Sequence, residues 1–182
     1  MVTTIRFSRK EVEGLVNLAH KRHNAKDSSF RHKYCMVRGA ETTAVPHEIG
    51  ILGEAAYGKC IGEDIDREIY EVRDDGSDFK DTEVKTVTYF GHGEPELKVP
   101  EKDWLGKHKD IKKFILTRIN PKDYSKVELL GQITREQFDK LKKRKVYGPN
   151  KPLNYVVRAS QLSPILGCCV EAILTEEDDF GF

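Results

Sequence analysis

No stretch of the 182-residue chain approaches the ~20 consecutive apolar residues that span a bilayer. The N-terminus also lacks the basic-then-apolar pattern of a secretory signal. A soluble, cytoplasmic protein with no membrane partner is expected. Cysteine is scarce: Cys35, Cys60, Cys168 and Cys169 are spread widely and include one adjacent pair that cannot easily bridge to itself. Reduced thiols are therefore expected, with Cys168 and Cys169 acting as small apolar packing beside Leu166, Val170 and Ile173. Internal repeats, low-complexity segments and any Ser-His-Asp or Cys-His signature are all missing, so neither a repeat architecture nor a nucleophilic triad is expected.

What is present is a polar but foldable composition, with 38% apolar and 34% charged residues. The length fits one domain over residues 1–175, followed by an acidic tail, 176–182. The net charge of +1 conceals segregation. Basic stretches at His20 to Lys33 and Lys140 to Lys145 stand against Glu176-Glu177-Asp178-Asp179.

Ser8 and Glu11 form a capping-box pattern, and Val12, Leu15, Val16 and Ala19 follow at helical spacing, which predicts a helix from about 9 to 22. His23 to Pro46 has no sustained period and reads as a long functional loop. A second helix is expected at about 47–61 on a stripe of Ile49, Leu52, Ala56 and Cys60, with Glu54 off that stripe. Strands are expected at 67–73, ending in the turn Asp74-Asp75-Gly76, then from Glu83 onward, around Leu97 to Val99, at 114–119, at 127–131 and at 155–157. Thr134 and Gln137 cap a short helix through about Lys142. The order implies an α/β (α+β) fold in which helices flank a mixed sheet of four to five strands.

Side chains two apart on a strand share a face, so Glu83 and Lys85 project together while Val84 faces the opposite layer. Asp78 lies just before them across a bend. Converging carboxylates suit a hard divalent cation such as magnesium, and a neighbouring lysine suits charge developing on a phosphate. Glu-Val-Lys alone would be read as an exposed edge-strand face.

Its context is Gly53-Glu54-Ala55-Ala56-Tyr57-Gly58, then Asp-Gly-Ser-Asp78, then Glu83-Val84-Lys85-Thr86. In that order the segments resemble the acidic helix, Asp and Glu-x-Lys motifs of the PD-(D/E)XK nuclease superfamily, over roughly residues 47 to 132, and look like its small phage or plasmid members. A softer echo runs from Leu129-Leu130-Gly131 into Thr134-Arg135-Glu136. The resemblance implies a restriction-endonuclease-like core and a metal-dependent nuclease acting on DNA. It also implies Mg as cofactor, with Mn as a substitute. Asp78 and Glu83 would ligate the metal, Glu54 would complete the acidic shell, and Lys85 would position the attacking water. The gap between Asp78 and Glu83 is shorter than in many members, which leaves Asp81 as an alternative ligand.

Candidate nucleic-acid contacts are Lys21, Arg22, Arg31 and Lys33 in the first basic stretch and Lys142, Lys143 and Arg144 in the second, where a charged helix end is the competing account. His20-x-x-His23 and His32-x-x-Cys35 do not have a familiar zinc spacing, and no zinc site is expected there. Trp104 is read as core. Alternatives to the nuclease are a non-cutting nucleic-acid-binding protein of the same fold and an adaptor that holds a protein partner through its acidic, aromatic-ended tail. A homodimer is a further expectation, since cutting both strands of a duplex commonly uses two sites related by a twofold axis.

Overall fold

The computed structural model describes residues 2–25, 44–69, 77–88, 93–106, 108–149, 151–165 and 168. Most of the expected loop, all but its ends, lies outside them. So do residues 70–76, Gly91-His92, Cys35, Cys169 and the acidic tail.

A mixed four-stranded sheet forms the centre of the α+β architecture. Its strands are β1 (Thr3–Arg6), β2 (Thr82–Thr88), β4 (Lys113–Asn120) and β5 (Asp123–Thr134), in the order β1-β5-β4-β2. β4 and β5 form an antiparallel hairpin, β1 adds antiparallel to β5, and β2 lies parallel to β4 with Glu83 beside Phe114 and Lys85 beside Leu116. Among the described residues β2 is thus an edge strand.

The two faces of β4 alternate as a doubly buried strand should. Ile115 and Ile119 enter a core with α1 (Arg9–Ala25) and α2 (Val45–Ile61), while Phe114 and Leu116 enter a second core on the other side. That second core is closed by an antiparallel sheet of β3 (Glu96–Pro100), β7 (Leu153–Arg158) and β6 (Lys143–Val146), in the order β3-β7-β6. The short helices α3 (Glu101–Leu105) and α4 (Arg135–Leu141) complete it through Trp104 and Phe138.

Local chemistry explains most boundaries. α1 starts where Glu11 accepts the Ser8 backbone N–H at 2.7 Å and the Glu11 N–H donates to Ser8 Oγ at 3.4 Å. It buries Leu15, Leu18, Ala19 and His23, and it continues past the expected end at 22 to Ala25. α2 ends at Gly62, whose φ of 75° is left-handed and lets its N–H return to Gly58 O. Thr134 and Gln137 close a reciprocal capping box on α4.

Three expectations are corrected. Residues 67–69 are irregular rather than a strand. The run after Leu141 is strand β6, not a charged helix end, because Lys143 to Val146 pair with β7. Cys60 and Cys168 form a disulfide instead of remaining reduced thiols, closing a loop of sequence separation 108. Cross-linking so long a loop restricts the unfolded chain. Reduction with a thiol, or Cys60→Ser, is expected to cost about 2–4 kcal/mol; an unchanged urea midpoint in reductant would show that the bond contributes nothing.

No helix among the described residues is long and apolar enough to cross a membrane.

Candidate functional site

β2 delivers the first part of the site. Val84 enters the core under α2, so Glu83 and Lys85 stand on the opposite face. The Lys85 ammonium donates to Glu83 Oε1. Just upstream, Phe79 and Thr82 exchange both backbone hydrogen bonds, at 3.1 and 2.8 Å, which makes a tight reversal. This reversal folds Asp78 back so that its Oδ2 accepts the Val84 N–H at 2.7 Å. The short gap therefore brings Asp78 to the strand. Asp81 turns to Lys112, 3.2 Å away, while its carbonyl accepts the N–H groups of Lys112 and Lys113. Asp78 is the aspartate on which Glu83 acts, while Asp81 pairs with Lys112.

α2 delivers Glu54. Its neighbour Gly53 lies so close to the sheet that a Cβ there would stand 1.9 Å from Thr86 Oγ1 and 2.6 Å from Thr117 Oγ1. Only a glycine allows the helix to sit at that depth. Glu54 Oε2 is 3.6 Å from an Arg22 guanidinium nitrogen of α1. Arg22 also donates to the carbonyls of Asp66 and Glu68, at 2.7 and 3.1 Å. It is thereby engaged both with the protein's own backbone and with Glu54.

The electrostatics tie these groups together. Asp78 is held well above the ordinary carboxylate value of 3.8, first by burial and then by the charges of Glu54 and Glu83, with Lys85 opposing. Lys85 is raised despite burial, because Glu83 and Asp78 favour its charged form, with help from Asp103 of α3. Among the described residues, no cation lies within ion-pairing distance of Asp78. Asp78 is the member on which both other acids act.

Sequence reasoning missed His108, whose Nε2 is 3.1 Å from Glu83 Oε1 with both side chains almost fully buried. Arg135 explains why this imidazole is there. Its guanidinium covers Trp104 at 3.8 Å and donates to the carbonyls of Trp104 and His108, pinning the segment after α3 against the second core. The sequence offered only Lys107-His108-Lys109, a charged tripeptide with no period.

The expected phosphate contacts are scattered. Lys21 is exposed on α1, and Arg31 and Lys33 lie outside the described residues. Lys142 is held by Asp139 and lies 4.5 Å over both Trp104 and Tyr155, so it braces the second core. Lys143 and Arg144 are exposed on β6. His20 donates to or accepts from Glu48 at 2.8 Å, and His23 packs on His47.

Among the described residues, no group of three or more His, Cys, Asp or Glu side chains stands in an arrangement that would hold a metal ion. Carboxylates are nonetheless the donor type that a hard divalent cation takes. Two carboxylates, Glu54 and Glu83, act on Asp78, and their mutual repulsion is what a divalent cation would relieve. No protein-family model, no curated protein and no solved structure matches this chain.

Proposed function

We propose that the protein is a metal-dependent nuclease that hydrolyses phosphodiester bonds in nucleic acid, with DNA as the first substrate to test. The reading is carried by one observation: Glu54 and Glu83 both act on Asp78, which has no ion-paired cation of its own among the described residues, while Lys85 stands alongside. Asp78, Glu83 and Glu54 would hold magnesium, or manganese in its place. When bound, the ion would polarise the phosphoryl oxygen and lower the pKa of a water.

The chain's own groups supply the rest. Lys85, charged at neutral pH, would release Glu83 to face the phosphate, where its ammonium offsets negative charge growing on the scissile group. His108 stands 3.1 Å from Glu83, and Arg22 stands 3.6 Å from Glu54. The tight turn from Asp78 to Thr82 keeps the first acid within reach of the strand.

The test is incubation of the purified protein with labelled duplex, single-stranded and branched substrates in magnesium, manganese or chelator. Cleavage in either metal that chelator abolishes is the expected result. Salt-sensitive binding that ignores chelator, with no cutting of any substrate, would replace the nuclease with a non-cutting nucleic-acid-binding protein.

A further inference from the structure

We infer that the open face of the three-stranded sheet is a second binding surface, a groove that takes the phosphate backbone of nucleic acid. Leu97, Val99 and Val157 point into the second core, so by alternation Glu96, Lys98, Val156, Arg158, Lys143 and Lys145 belong to the other face. The register places Lys98, Val156 and Lys143 in one line across all three strands, with Arg158 and Lys145 on either side of it. A groove of about 360 Å³ opens here, and Lys143, Arg144, Lys145 and Arg158 line it against a single carboxylate, Glu96.

That carboxylate is already committed. Glu96 accepts from Lys145 at 2.8 Å and from the Tyr147 hydroxyl at 2.6 Å. Glu94, at the rim, accepts the Ser160 N–H at 2.6 Å. Lys143 forms no ion pair among the described residues, and Lys98 is pushed below its ordinary value by burial and by Lys145. The surface therefore has an excess of positive charge that its own acids do not neutralise.

Guarding an exposed edge is the usual reason for lysines on a strand, and it would account for β6. It does not account for Arg158, which lies on the central strand β7. The spacing suits a repeating anion: Lys143 and Lys145 are two residues apart on one strand, about 6.6–6.8 Å, which is about twice the ~3.4 Å per-strand charge spacing along a duplex axis.

One groove residue, Arg144, contacts α3, the helix that also carries Asp103. Arg144 is 3.4 Å from Glu101 at one end of α3, and Asp103, two residues on, acts on Lys85. A strand lying along the groove would be directed over α3 toward the acidic cluster. The inference rests on the nuclease reading only for the identity of the polyanion.

The test is fluorescence anisotropy with a labelled single-stranded oligonucleotide and its duplex over a salt series, for the parent and for the double variant Lys143→Gln/Arg158→Gln. Both side chains are exposed, and equal thermal melts serve as the check on folding. The double variant is expected to lose at least tenfold in affinity, with the slope of log K against log salt shallower by about 1.4–1.8, the loss of two phosphate contacts. Hydrolysis of bis(p-nitrophenyl) phosphate in magnesium, a substrate too small to enter the groove and the active site together, is expected to stay at the parent rate. Parental affinity and slope in the double variant would overturn the groove, whatever happens to cleavage. A charge-matched polyglutamate that displaces the oligonucleotide as well as unlabelled DNA does would overturn its assignment to nucleic acid. Binding lost through Lys143 and Arg158 in a protein that cuts nothing would leave the groove standing and remove the nuclease.

Discussion

Replacing Asp78 by Asn is expected to lower magnesium-dependent cleavage by about 10²-fold or more, and at the same time to raise the melting temperature of the metal-free protein. The two effects have one cause. Burial, and then the charges of Glu54 and Glu83, hold the folded-state pKa of Asp78 well above its ordinary value of 3.8. The folded chain then binds this proton more tightly than the unfolded chain does, and stability falls as pH rises from about 4 through the raised value. At neutral pH the ionised carboxylate is a net cost to the fold. Asparagine removes the charge but keeps an oxygen for the Val84 N–H, so the turn is preserved. A gain of about 1 kcal/mol would shift the melting temperature by about 2–4 °C in a chain of this size.

Magnesium should reverse the order, because an ion that binds only the folded state stabilises by mass action. The parent is expected to melt higher as magnesium is added, and Asp78→Asn is expected to ignore it. Calorimetric scans at pH 5 and pH 7.5, with and without magnesium, separate these terms. A variant that melts below the parent in chelator, or that cleaves at the parent rate, would remove Asp78 from the centre of the site.

The sequence made some of this legible because some of its signals are local. The Ser8–Glu11 and Thr134–Gln137 boxes are satisfied within four residues, and both helices start where those boxes place them. The alternation of Glu83, Val84 and Lys85 needs only strand geometry, and Val84 is the member that enters the core. What was missed depends on distant partners. β1 is four residues with little pattern of its own, and it exists because Ile5 and its neighbours pair with β5 more than a hundred residues away. β6 carries three consecutive cations that read as a helix end until β7 supplies its hydrogen bonds. His108 meets Glu83 because Arg135, from another element, holds its carbonyl. Arg22 looked like a free cation because Glu54, Asp66 and Glu68 are close to it only in the fold. Likewise Cys60 and Cys168 are separated by 108 positions in the sequence, and composition alone favoured thiols.

Gly53→Ala and Gly50→Ala make the same chemical change in the same helix, one turn apart, and are expected to have opposite signs. In a helix interior alanine is favoured over glycine by about 0.8–1.0 kcal/mol. At Gly50 a new Cβ would have its nearest contact at 3.9 Å, with Glu54 Oε1, so little opposes that gain and the protein is expected to become more stable. At Gly53 the new Cβ would stand 1.9 Å from Thr86 Oγ1, 2.6 Å from Thr117 Oγ1 and 3.1 Å from Thr86 Cβ. Turning the Thr86 hydroxyl away does not free the space, since Thr117 remains, and it breaks the 2.9 Å hydrogen bond between the two hydroxyls at a fully buried position. Forcing atoms into a packed interior costs about 1–3 kcal/mol, and leaving a buried hydroxyl unbonded adds about 1–3 kcal/mol. These costs exceed the helix gain, so Gly53→Ala is expected to destabilise by about 2 kcal/mol or more.

Urea denaturation of the two variants side by side measures the difference, and Thr86→Ala in the Gly53→Ala background should recover part of the loss by removing the nearest oxygen. Because Glu54 follows Gly53 directly, lifting α2 off the sheet also draws that carboxylate away from Asp78. Cleavage by Gly53→Ala is therefore expected to fall even at urea concentrations where it remains folded. Equal stabilisation by both alanines would mean that α2 does not rest on Thr86 and Thr117, and with that contact would go the physical basis for bringing Glu54 to β2.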